Sequence, residues 1–350
     1  MEKRKLRTGV AYHGNRMPSH VRTDMEEIAR ADIDIVVHMF SHTDWERHKR
    51  IMKENIHISE DCGLEVWVDN WGIGGAPGDK SHFLAYHPEA HMIYSNGEMH
   101  PYQVCVNHPE YRKFTKEWLD AVAEIGGKTI FWDEPNIPAL KDEKGAPSYY
   151  CCTCPTCKTK FEDTYGHTMP LIQTEETAAF QLDSIVDYFA DVTGHSASLG
   201  LENSACVMLG SPGINLDSLD RLCSLPHLNN LGSDPYWYHI KDLDSPYRFV
   251  YEKTKQSIAN SDHFGKDHNI WIQSYRVPRG REEEIIEATE GAYDAGARCI
   301  LAWSFHGAES NDYGAENPLR TWEMTKEAMR RIRARDRDRI LEENRRKYMK

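Results

Sequence analysis

Two adjacent acids, Asp133 and Glu134, stand where an apolar run ends, in the stretch TIFWDEPNIP at 129–138. Successive side chains on a strand point to opposite sides, so both acids can share one rim only if the strand ends or bulges there. Pro135 fits such an end, because proline cannot continue a central strand. Glycosidases need a carboxylic acid that protonates the departing oxygen, and this pair could supply it. The structural alternative is a helix-capping Asp beside a surface Glu.

A second group of reactive side chains lies in the stretch YYCCTCPTC at 149–157. Cys152, Cys154 and Cys157 have the C-x-C-x-x-C spacing that is typical of zinc thiolate sites. A fourth ligand must come from elsewhere, with Cys105 as the first candidate and Cys151 as the alternative. Four sulfur ligands close a zinc site, so we expect a structural zinc rather than a catalytic one. Reduced thiols without a metal are the competing interpretation.

Polar and aromatic residues also collect at the ends of the other predicted strands. In an α/β barrel the catalytic groups lie at the carboxyl ends of the strands. Tryptophan faces beside carboxylates and amides suit a sugar ring, although a lone histidine at such a position can be purely structural. The residues concerned are His13, Asn15, His38, His42, Asp69, Asn70, Trp71, Glu202, Asn203, Asp234, Tyr236, Trp237, Tyr238, Gln273, Tyr275, Trp303 and His306.

Short apolar runs alternate with amphipathic stretches along almost the whole chain, a pattern that predicts a parallel sheet with crossover helices. The predicted strands lie at 7–14, 33–40, 64–71, 128–134, 199–209, 229–237, 269–275 and 298–305, and the clearest helices at 19–31, 217–225, 247–261 and 282–296. Eight strands favour an α/β fold of the (β/α)8 TIM-barrel type. A doubly wound open sheet is the alternative.

The expected organisation is a single large domain. We place the catalytic barrel at 1–335, with a long loop after the third strand at 72–107 and a zinc-binding insertion after the fourth at 135–166. Loops of that length are usually functional or disordered. Acids and bases interleave in the tail at 336–350, which predicts a solvated helical extension, with packing in a homo-oligomer as the alternative.

Composition narrows the class of partner. The chain has 350 residues and a formal charge of −13, and no basic stripe interrupts it, so we do not expect it to bind nucleic acid. The basic N-terminus lacks the apolar run of a signal peptide, and no stretch approaches the length of a membrane span. Nine cysteines, four of them crowded together, point to reduced thiols. We therefore expect a soluble cytoplasmic protein that acts on a small oligosaccharide or glycoside.

The segment around the cysteines resembles a known family. A cysteine in C-x-N-x-P-x-Y-R, an acid that closes the fourth strand, and C-x-C-x-x-C followed by KFEDTYG are similar to the cysteine-cluster β-galactosidases of glycoside hydrolase family 42. The likeness covers about 100–166. It implies that Cys105, Cys152, Cys154 and Cys157 hold zinc and that Glu134 is the acid/base.

The sequence departs from that family at both catalytic positions. Family 42 pairs an Asn with the strand-four Glu and takes a nucleophilic Glu from the seventh strand, whereas here Asp133 precedes Glu134 and Gln273 stands in WIQSY. The WDEP stretch instead resembles the Asp-Glu pair of hexosaminidases, namely the β-N-acetylgalactosaminidases of family 123 and, more distantly, family 20.

This second resemblance implies a β-N-acetylhexosaminidase, most simply a β-N-acetylgalactosaminidase, that retains configuration by substrate assistance. The 2-acetamido oxygen of the substrate attacks the anomeric carbon in those enzymes. By the match Asp133 holds the acetamido N–H and Glu134 is acid, then base. Tyr275 donates to the acetamido oxygen, with Tyr236 or Tyr238 as alternatives.

The remaining residues of the predicted substrate site have less specific roles. Trp237 and Trp303 could wall the methyl pocket, and Asp234 could bind sugar hydroxyls. One alternative function is a two-carboxylate β-galactosidase-like enzyme that uses Glu134 with Asp234, Glu202 or Glu309. The other, from a different class, is an inactive carbohydrate-binding barrel.

Overall fold

The computed structural model describes residues 5–13, 16–74, 81–135, 137–138, 140–141, 147–209, 216–240 and 243–348. Its strands are β1 (Arg7–Tyr12), β2 (Ile35–Met39), β3 (Glu65–Asp69), β4 (His91–Ile93), β5 (Met99–Val104), β6 (Thr129–Trp132), β7 (Leu140–Lys141), β8 (Pro147–Tyr149), β9 (Glu202–Val207), β10 (Asn230–Ser233), β11 (Ile270–Gln273) and β12 (Cys299–Trp303). Eight of them close into a barrel, in the order β1-β12-β11-β10-β9-β6-β3-β2. The predicted (β/α)8 barrel is confirmed, and an open sheet is excluded by this closure.

Helices follow the barrel strands. They are α1 (Pro18–Arg30), α2 (His42–Asp61), α3 (Phe83–Tyr86), α4 (Pro109–Glu124), α5 (Pro155–Tyr165), α6 (Glu175–Ser198), α7 (Leu216–Cys223), α8 (Pro246–His263), α9 (Glu284–Asp294) and α10 (Pro318–Tyr348), with short 3₁₀ turns at Pro88–Ala90 and Phe305–Ala308. Proline occupies the first turn of several helices, where its missing N–H is not needed. The predicted stretches at 19–31, 217–225, 247–261 and 282–296 correspond to α1, α7, α8 and α9.

The chain divides into two compact units, and the first comprises 1–38, 54–67 and 232–350. In this unit Gly9 of β1 lies opposite Ile35 of β2 and Leu301 of β12. A Cβ at Gly9 would lie 2.7 Å from the Leu301 side chain, so glycine is required for this close approach. The core of the unit is aliphatic and comes largely from β11, β12, α9 and α10.

The second unit comprises 39–53 and 68–231. Here β6 pairs in parallel with β9, and Trp132 lies opposite Ala205. Trp132 is fully buried and contacts Trp118, with the ring centroids 6.2 Å apart, and Phe189 at 5.5 Å. Aromatic packing therefore fixes the end of the fourth barrel strand.

The long loop and the insertion contain short elements of their own, and both belong to the second unit. The part of 72–107 that the structure describes holds α3, a 3₁₀ turn and the antiparallel hairpin β4-β5. The described part of 135–166 holds the hairpin β7-β8 and α5. The loop N–H of Thr153 donates to the carbonyl of Ile93, 2.7 Å away, so backbone hydrogen bonding joins the two segments.

The charged tail is helical, because α10 runs without a break to Tyr348. Ion pairs within the helix, such as Arg339 with Asp336 at 2.8 Å and with Glu343 at 3.1 Å, use the interleaved charges. The boundary between barrel and tail at 335/336 stays a prediction. None of the helices among the described residues has the length and hydrophobicity needed to span a bilayer.

Candidate functional site

The acid pair lies immediately after β6, at the carboxyl end of the fourth barrel strand. The backbone N–H of Asp133 donates to Asn70 Oδ1 at 3.0 Å, and the N–H of Asn70 donates to the carbonyl of Phe131 at 3.2 Å. The indole N–H of Trp132 donates to Asn203 Oδ1 at 3.0 Å. Hydrogen bonds from two neighbouring strands therefore hold the chain where the acids begin.

Glu134 has a left-handed backbone, with φ of 33°. A residue other than glycine adopts such a conformation at a cost of about 1–3 kcal/mol, and such residues cluster at functional sites. The conformation ends the strand alternation directly after Asp133, as the sequence pattern predicts. Glu134 is half-buried, and its charge acts on the Asp133 carboxyl, so the two acids are close neighbours.

Asp133 is buried beside a second buried acid, Asp69 at the end of β3. Burial raises the pKa of Asp133 well above its usual range, and the charges of Asp69 and Glu134 raise it further. Burial likewise raises the pKa of Asp69. Since two adjacent buried carboxylates cannot both ionise easily, the pair holds one proton more tightly than an isolated carboxyl would.

Each carboxyl of this buried pair has a defined hydrogen-bond partner. Asp69 Oδ1 accepts from the N–H of Trp71 at 2.9 Å, while Asp69 Oδ2 is buried and has no hydrogen-bond partner among the described residues. The thiol of Cys206 donates to Asp133 Oδ1 at 3.6 Å. Cys206 was not predicted from the sequence, because only the pairing of β9 with β6 brings it to Asp133.

In the first unit the structure brings His13 and Trp303 together. Their ring centroids are 4.7 Å apart with the rings edge to face, and Trp271 contacts Trp303 at 5.7 Å. Burial lowers the pKa of His13 to about 4, so the imidazole is neutral at physiological pH. Asn15, predicted beside His13, lies outside the described residues.

The same unit brings Tyr275 together with Tyr236, one of its two alternatives. The rings of Tyr236 and Tyr275 are 5.2 Å apart in an edge-to-face arrangement. Asp234 follows β10 and is buried, and its carbonyl accepts from the N–H of Tyr236 at 2.7 Å. The contact leaves Tyr275, after the seventh barrel strand, and Tyr236, after the sixth, as alternatives for the predicted phenol donor.

Three residues predicted to touch substrate also make structural contacts. Gln273 Oε1 accepts the backbone N–H groups of Trp237 at 2.8 Å and Tyr238 at 3.2 Å. The Trp237 side chain is fully buried in the aliphatic core, and its indole N–H donates to Glu284. The Tyr238 hydroxyl donates to the carbonyl of Arg281 at 3.0 Å. These contacts explain why the three residues are polar or aromatic, and their role as substrate contacts stays a prediction.

His306 lies between two acids in the turn after β12. Its Nδ1 is 2.8 Å from Glu309 Oε1, and its Nε2 is 3.5 Å from Glu27 Oε2. Its ring stacks on Phe305 with the centroids 4.1 Å apart. Glu309, an alternative nucleophile in the sequence interpretation, is engaged by this histidine.

Four residues that were predicted at the carboxyl ends of strands lie at other positions. Glu202 and Asn203 begin β9 rather than end it, so they lie at the amino end of that strand; the predicted strand at 199–209 was too long at its start. Glu202 is exposed there, which removes it as a nucleophile beside Glu134. His38 lies inside β2 and bonds Ser59 at 2.9 Å, and His42 begins α2.

The four predicted metal ligands, Cys105, Cys152, Cys154 and Cys157, form a buried group with all sulfurs within 4.8 Å of one another. Cys105 Sγ lies 3.4 Å from Cys157 Sγ and 3.5 Å from Cys154 Sγ. Zinc–sulfur bonds of about 2.3 Å in a tetrahedron place the sulfurs about 3.8 Å apart, so the group fits a zinc ion. The cluster can hold a metal ion, and its burial leaves no open coordination position.

The surroundings of the sulfurs also suit a thiolate site. Hydrogen bonds with Cys105 lower the pKa values of Cys152 and Cys154, whereas the pKa of Cys105 is raised by its hydrogen bonds with the other three thiols, so without a metal the sulfurs share protons among themselves. The side-chain amide of Asn107 donates to Cys157 Sγ at 3.3 Å. The thiol of Cys151 donates instead to the carbonyl of Ile93 at 3.4 Å, so Cys151 stands outside the group of four.

Comparison with known proteins supports the fold. Neither models of protein families nor curated protein sequences gave a match to this chain. Among solved structures it is similar to the catalytic domain of a β-amylase from Paenibacillus polymyxa, with a TM-score of 0.65 and 10% identity over 93% of this chain and 99% of that one.

Two further similar structures are an endo-1,4-β-D-mannanase from Thermotoga petrophila and a β-N-acetylhexosaminidase from Bacteroides fragilis. Each has a TM-score of 0.55 and 11% identity over 93% of this chain. The match covers 98% of the mannanase and 65% of the hexosaminidase. The structural neighbours thus include TIM-barrel glycoside hydrolases. At such low identity they establish the fold, and the function must be argued from the site.

Proposed function

We propose that this chain is a retaining glycoside hydrolase that releases terminal β-linked N-acetylhexosamine, with N-acetylgalactosamine as the first candidate. The observation that carries the proposal is the Asp133–Glu134 pair. One carboxyl is buried and holds its proton tightly, and the other is half-buried on a strained backbone at the carboxyl end of a barrel strand. Catalytic residues of TIM barrels come from such strand ends.

The two carboxyls have different tasks in this mechanism. Glu134 protonates the departing glycosidic oxygen and then, as a carboxylate, deprotonates the attacking water. Asp133 accepts the acetamido N–H of the substrate while the acetamido oxygen attacks the anomeric carbon. The positive charge that develops on the bicyclic intermediate favours the ionised form of Asp133, which burial and Asp69 disfavour in the free protein.

The other residues in the proposal are those that the sequence predicts to contact the substrate. Tyr275 donates to the acetamido oxygen, and Tyr236 beside it is the alternative. The remaining proposed substrate contacts are His13, Asp69, Trp71, Asp234, Trp237, Tyr238, Gln273, Trp303 and His306. The substrate is a small oligosaccharide or glycoside.

We also propose that Cys105, Cys152, Cys154 and Cys157 hold a structural zinc ion. The ion would supply no chemistry to the reaction, because four thiolates complete its coordination. The four cysteines instead fix the long loop to the insertion, both of which lie in the unit that carries Asp133 and Glu134.

The proposal is tested by hydrolysis of matched nitrophenyl β-glycosides that carry either a 2-acetamido or a 2-hydroxyl group. We expect turnover of the 2-acetamido sugar, inhibition by a thiazoline mimic of the intermediate, and loss of about 10²–10⁴-fold in kcat/KM for Asp133→Asn and for Glu134→Gln. Asp163→Asn and Glu162→Gln, in an adjacent and exposed acid pair on α5, are matched controls that should keep full activity.

Two results would contradict the mechanism. Equal turnover of the 2-hydroxy sugar, with a covalent adduct trapped by a 2-fluoro sugar, would indicate a two-carboxylate enzyme that uses Glu134 with Asp234. Binding without turnover across a panel of glycosides would indicate an inactive carbohydrate-binding barrel.

A further inference from the structure

A second cluster of metal-ligating side chains lies outside the cysteine group, at the start of α2. His42 and Glu46 are one helical turn apart, and His82 comes from the long loop. Glu46 Oε1 lies 3.3 Å from His42 Nε2, and Glu46 Oε2 lies 2.9 Å from His82 Nε2. One ligand atom from each residue fits within 4.8 Å. One carboxylate therefore faces two imidazole nitrogens.

The orientation of His42 is fixed by its other ring nitrogen. Nδ1 lies 2.9 Å from the hydroxyl oxygen of Ser81, which also accepts the backbone N–H of Phe83 at 3.1 Å. The Ser81 oxygen, which accepts a hydrogen bond from the N–H of Phe83, can accept a second hydrogen bond from Nδ1–H of His42. In that tautomer Nε2 carries the lone pair, and it faces Glu46. Histidines that bind metals in proteins are oriented by such a hydrogen bond from the second ring nitrogen.

The simplest alternative is an ordinary histidine–carboxylate ion pair. The His42 and His82 ring centroids, however, are only 4.4 Å apart. Two imidazolium groups at that separation would repel each other, and a single carboxylate neutralises only one of them. A divalent cation accepts a lone pair from each neutral ring and the carboxylate together, so the same geometry is favourable for a metal.

We propose that His42, Glu46 and His82 bind a divalent transition-metal cation, with zinc as the best match, at a site separate from the cysteine cluster. Two imidazole nitrogens and one carboxylate oxygen are a common zinc ligand set, and bonds of about 2.0–2.2 Å place tetrahedral ligands about 3.3 Å apart. Nitrogen and oxygen ligands also suit borderline metals better than soft ones.

The position of the site indicates an exchangeable ion. The His42 side chain is 9% exposed, whereas Glu46 is 41% and His82 38% exposed, so one side of the cluster faces solvent. The N–H of His42 also donates to the carbonyl of Gly72 at 3.0 Å, directly after Trp71. The ion would therefore fasten His82, from the described part of the long loop, to the first turn of α2.

The test is a titration of the full chain with ZnCl₂ by isothermal calorimetry, after a brief EDTA wash that strips exposed metal. We expect one exchangeable zinc in the wild type that His82→Ala and Glu46→Gln weaken by at least about 100-fold, and that Ser81→Ala weakens by about 10–100-fold. Any zinc that the cysteines take up is common to all these variants.

His57→Ala is the matched control. His57 and Asp61 form the same i, i+4 pair on the same helix at 3.8 Å, but among the described residues no third metal-ligating side chain joins them. This variant should bind zinc as the wild type does. Circular dichroism and melting temperature report whether each variant is folded.

Three outcomes would overturn the proposal. They are the absence of an exchangeable zinc in the wild type, unchanged zinc binding in folded His82→Ala and Glu46→Gln, and an equal loss of binding in His57→Ala. Because zinc binding is measured directly, failure here would leave the proposed glycosidase activity untouched.

Discussion

Replacing Glu134 with glycine should make the protein more stable and inactive at once. The left-handed backbone of Glu134, with φ of 33°, lowers the free energy of unfolding by about 1–3 kcal/mol, whereas glycine adopts this conformation without strain. Glycine also loses about 0.5–1 kcal/mol more conformational entropy on folding. The net gain for Glu134→Gly is therefore about 0.5–2 kcal/mol.

This gain can be converted to a melting temperature. At about 2.1 cal/mol/K per residue, the unfolding entropy of a chain of 350 residues is about 0.7 kcal/mol/K. A gain of 1 kcal/mol then raises the melting temperature by about 1.4 °C. We expect Glu134→Gly to melt about 1–3 °C above the wild type and to lose about 10²–10⁴-fold in kcat/KM, because the proposed proton donor is gone.

Two further variants separate strain from chemistry. Glu134→Gln keeps the Cβ and the strained backbone, so it should lose activity without a rise in melting temperature. Asp32 has φ of 58° in the exposed turn between α1 and β2, so Asp32→Gly should gain similar stability with full activity. A Glu134→Gly protein that melts no higher than Glu134→Gln would refute the strain argument.

Three other predictions concern the metal, the buried acids and a close backbone contact. Cys154→Ser should lose one zinc per chain by elemental analysis and at least about 10 °C in melting temperature, whereas Cys151→Ser, outside the group of four, should keep its zinc; equal losses would contradict the ligand assignment. Raised pKa values of Asp69 and Asp133 mean that the folded state binds their protons more tightly than the unfolded state, so wild-type stability should fall as the pH rises above about 4. The free energy of unfolding of Asp69→Asn, measured by denaturant titration, should fall less than that of the wild type between pH 5 and 8. The variant lacks one of the two acids, and its loss lowers the pKa of the other. An equal or steeper fall would be inconsistent with the pairing. A Cβ at Gly232 would lie 1.7 Å from the carbonyl oxygen of Asn269, so Gly232→Ala should cost more than about 4 kcal/mol or prevent soluble expression, and a wild-type melting temperature would contradict this.

The barrel was predictable because most of its strands are short apolar runs that alternate with amphipathic helices, although β10, NLGS, is not such a run. The hairpin β4-β5 was not predicted, since HMI and MHPYQV are short and mix polar residues and a proline with few β-branched residues. The start of β9 was misplaced because LGL extends the apolar run backwards past the true first residue, Glu202. Local sequence does not show which half of such a run pairs with the neighbouring strand.

The candidate site was predictable where chemistry and local geometry coincide. Asp133, Glu134 and the cysteines were identified from residue types and spacing. The structural partners of Gln273 and Trp237 were not predictable, because backbone N–H groups and a core around these residues come only from the tertiary structure. The burial of Asp69 beside Asp133 depends on the pairing of strands that are 60 residues apart along the chain, and no local pattern encodes it.

With the proposed metal bound, the cysteine cluster would also restrict the unfolded chain. Cys105 and Cys157 are 52 positions apart, and a cross-link over a loop of that size removes about 4 kcal/mol of chain entropy from the denatured ensemble. A metal that bridges four thiolates achieves this without a disulfide. Such a link would hold the long loop and the insertion together beside the acid pair with one ion instead of a large apolar core of their own.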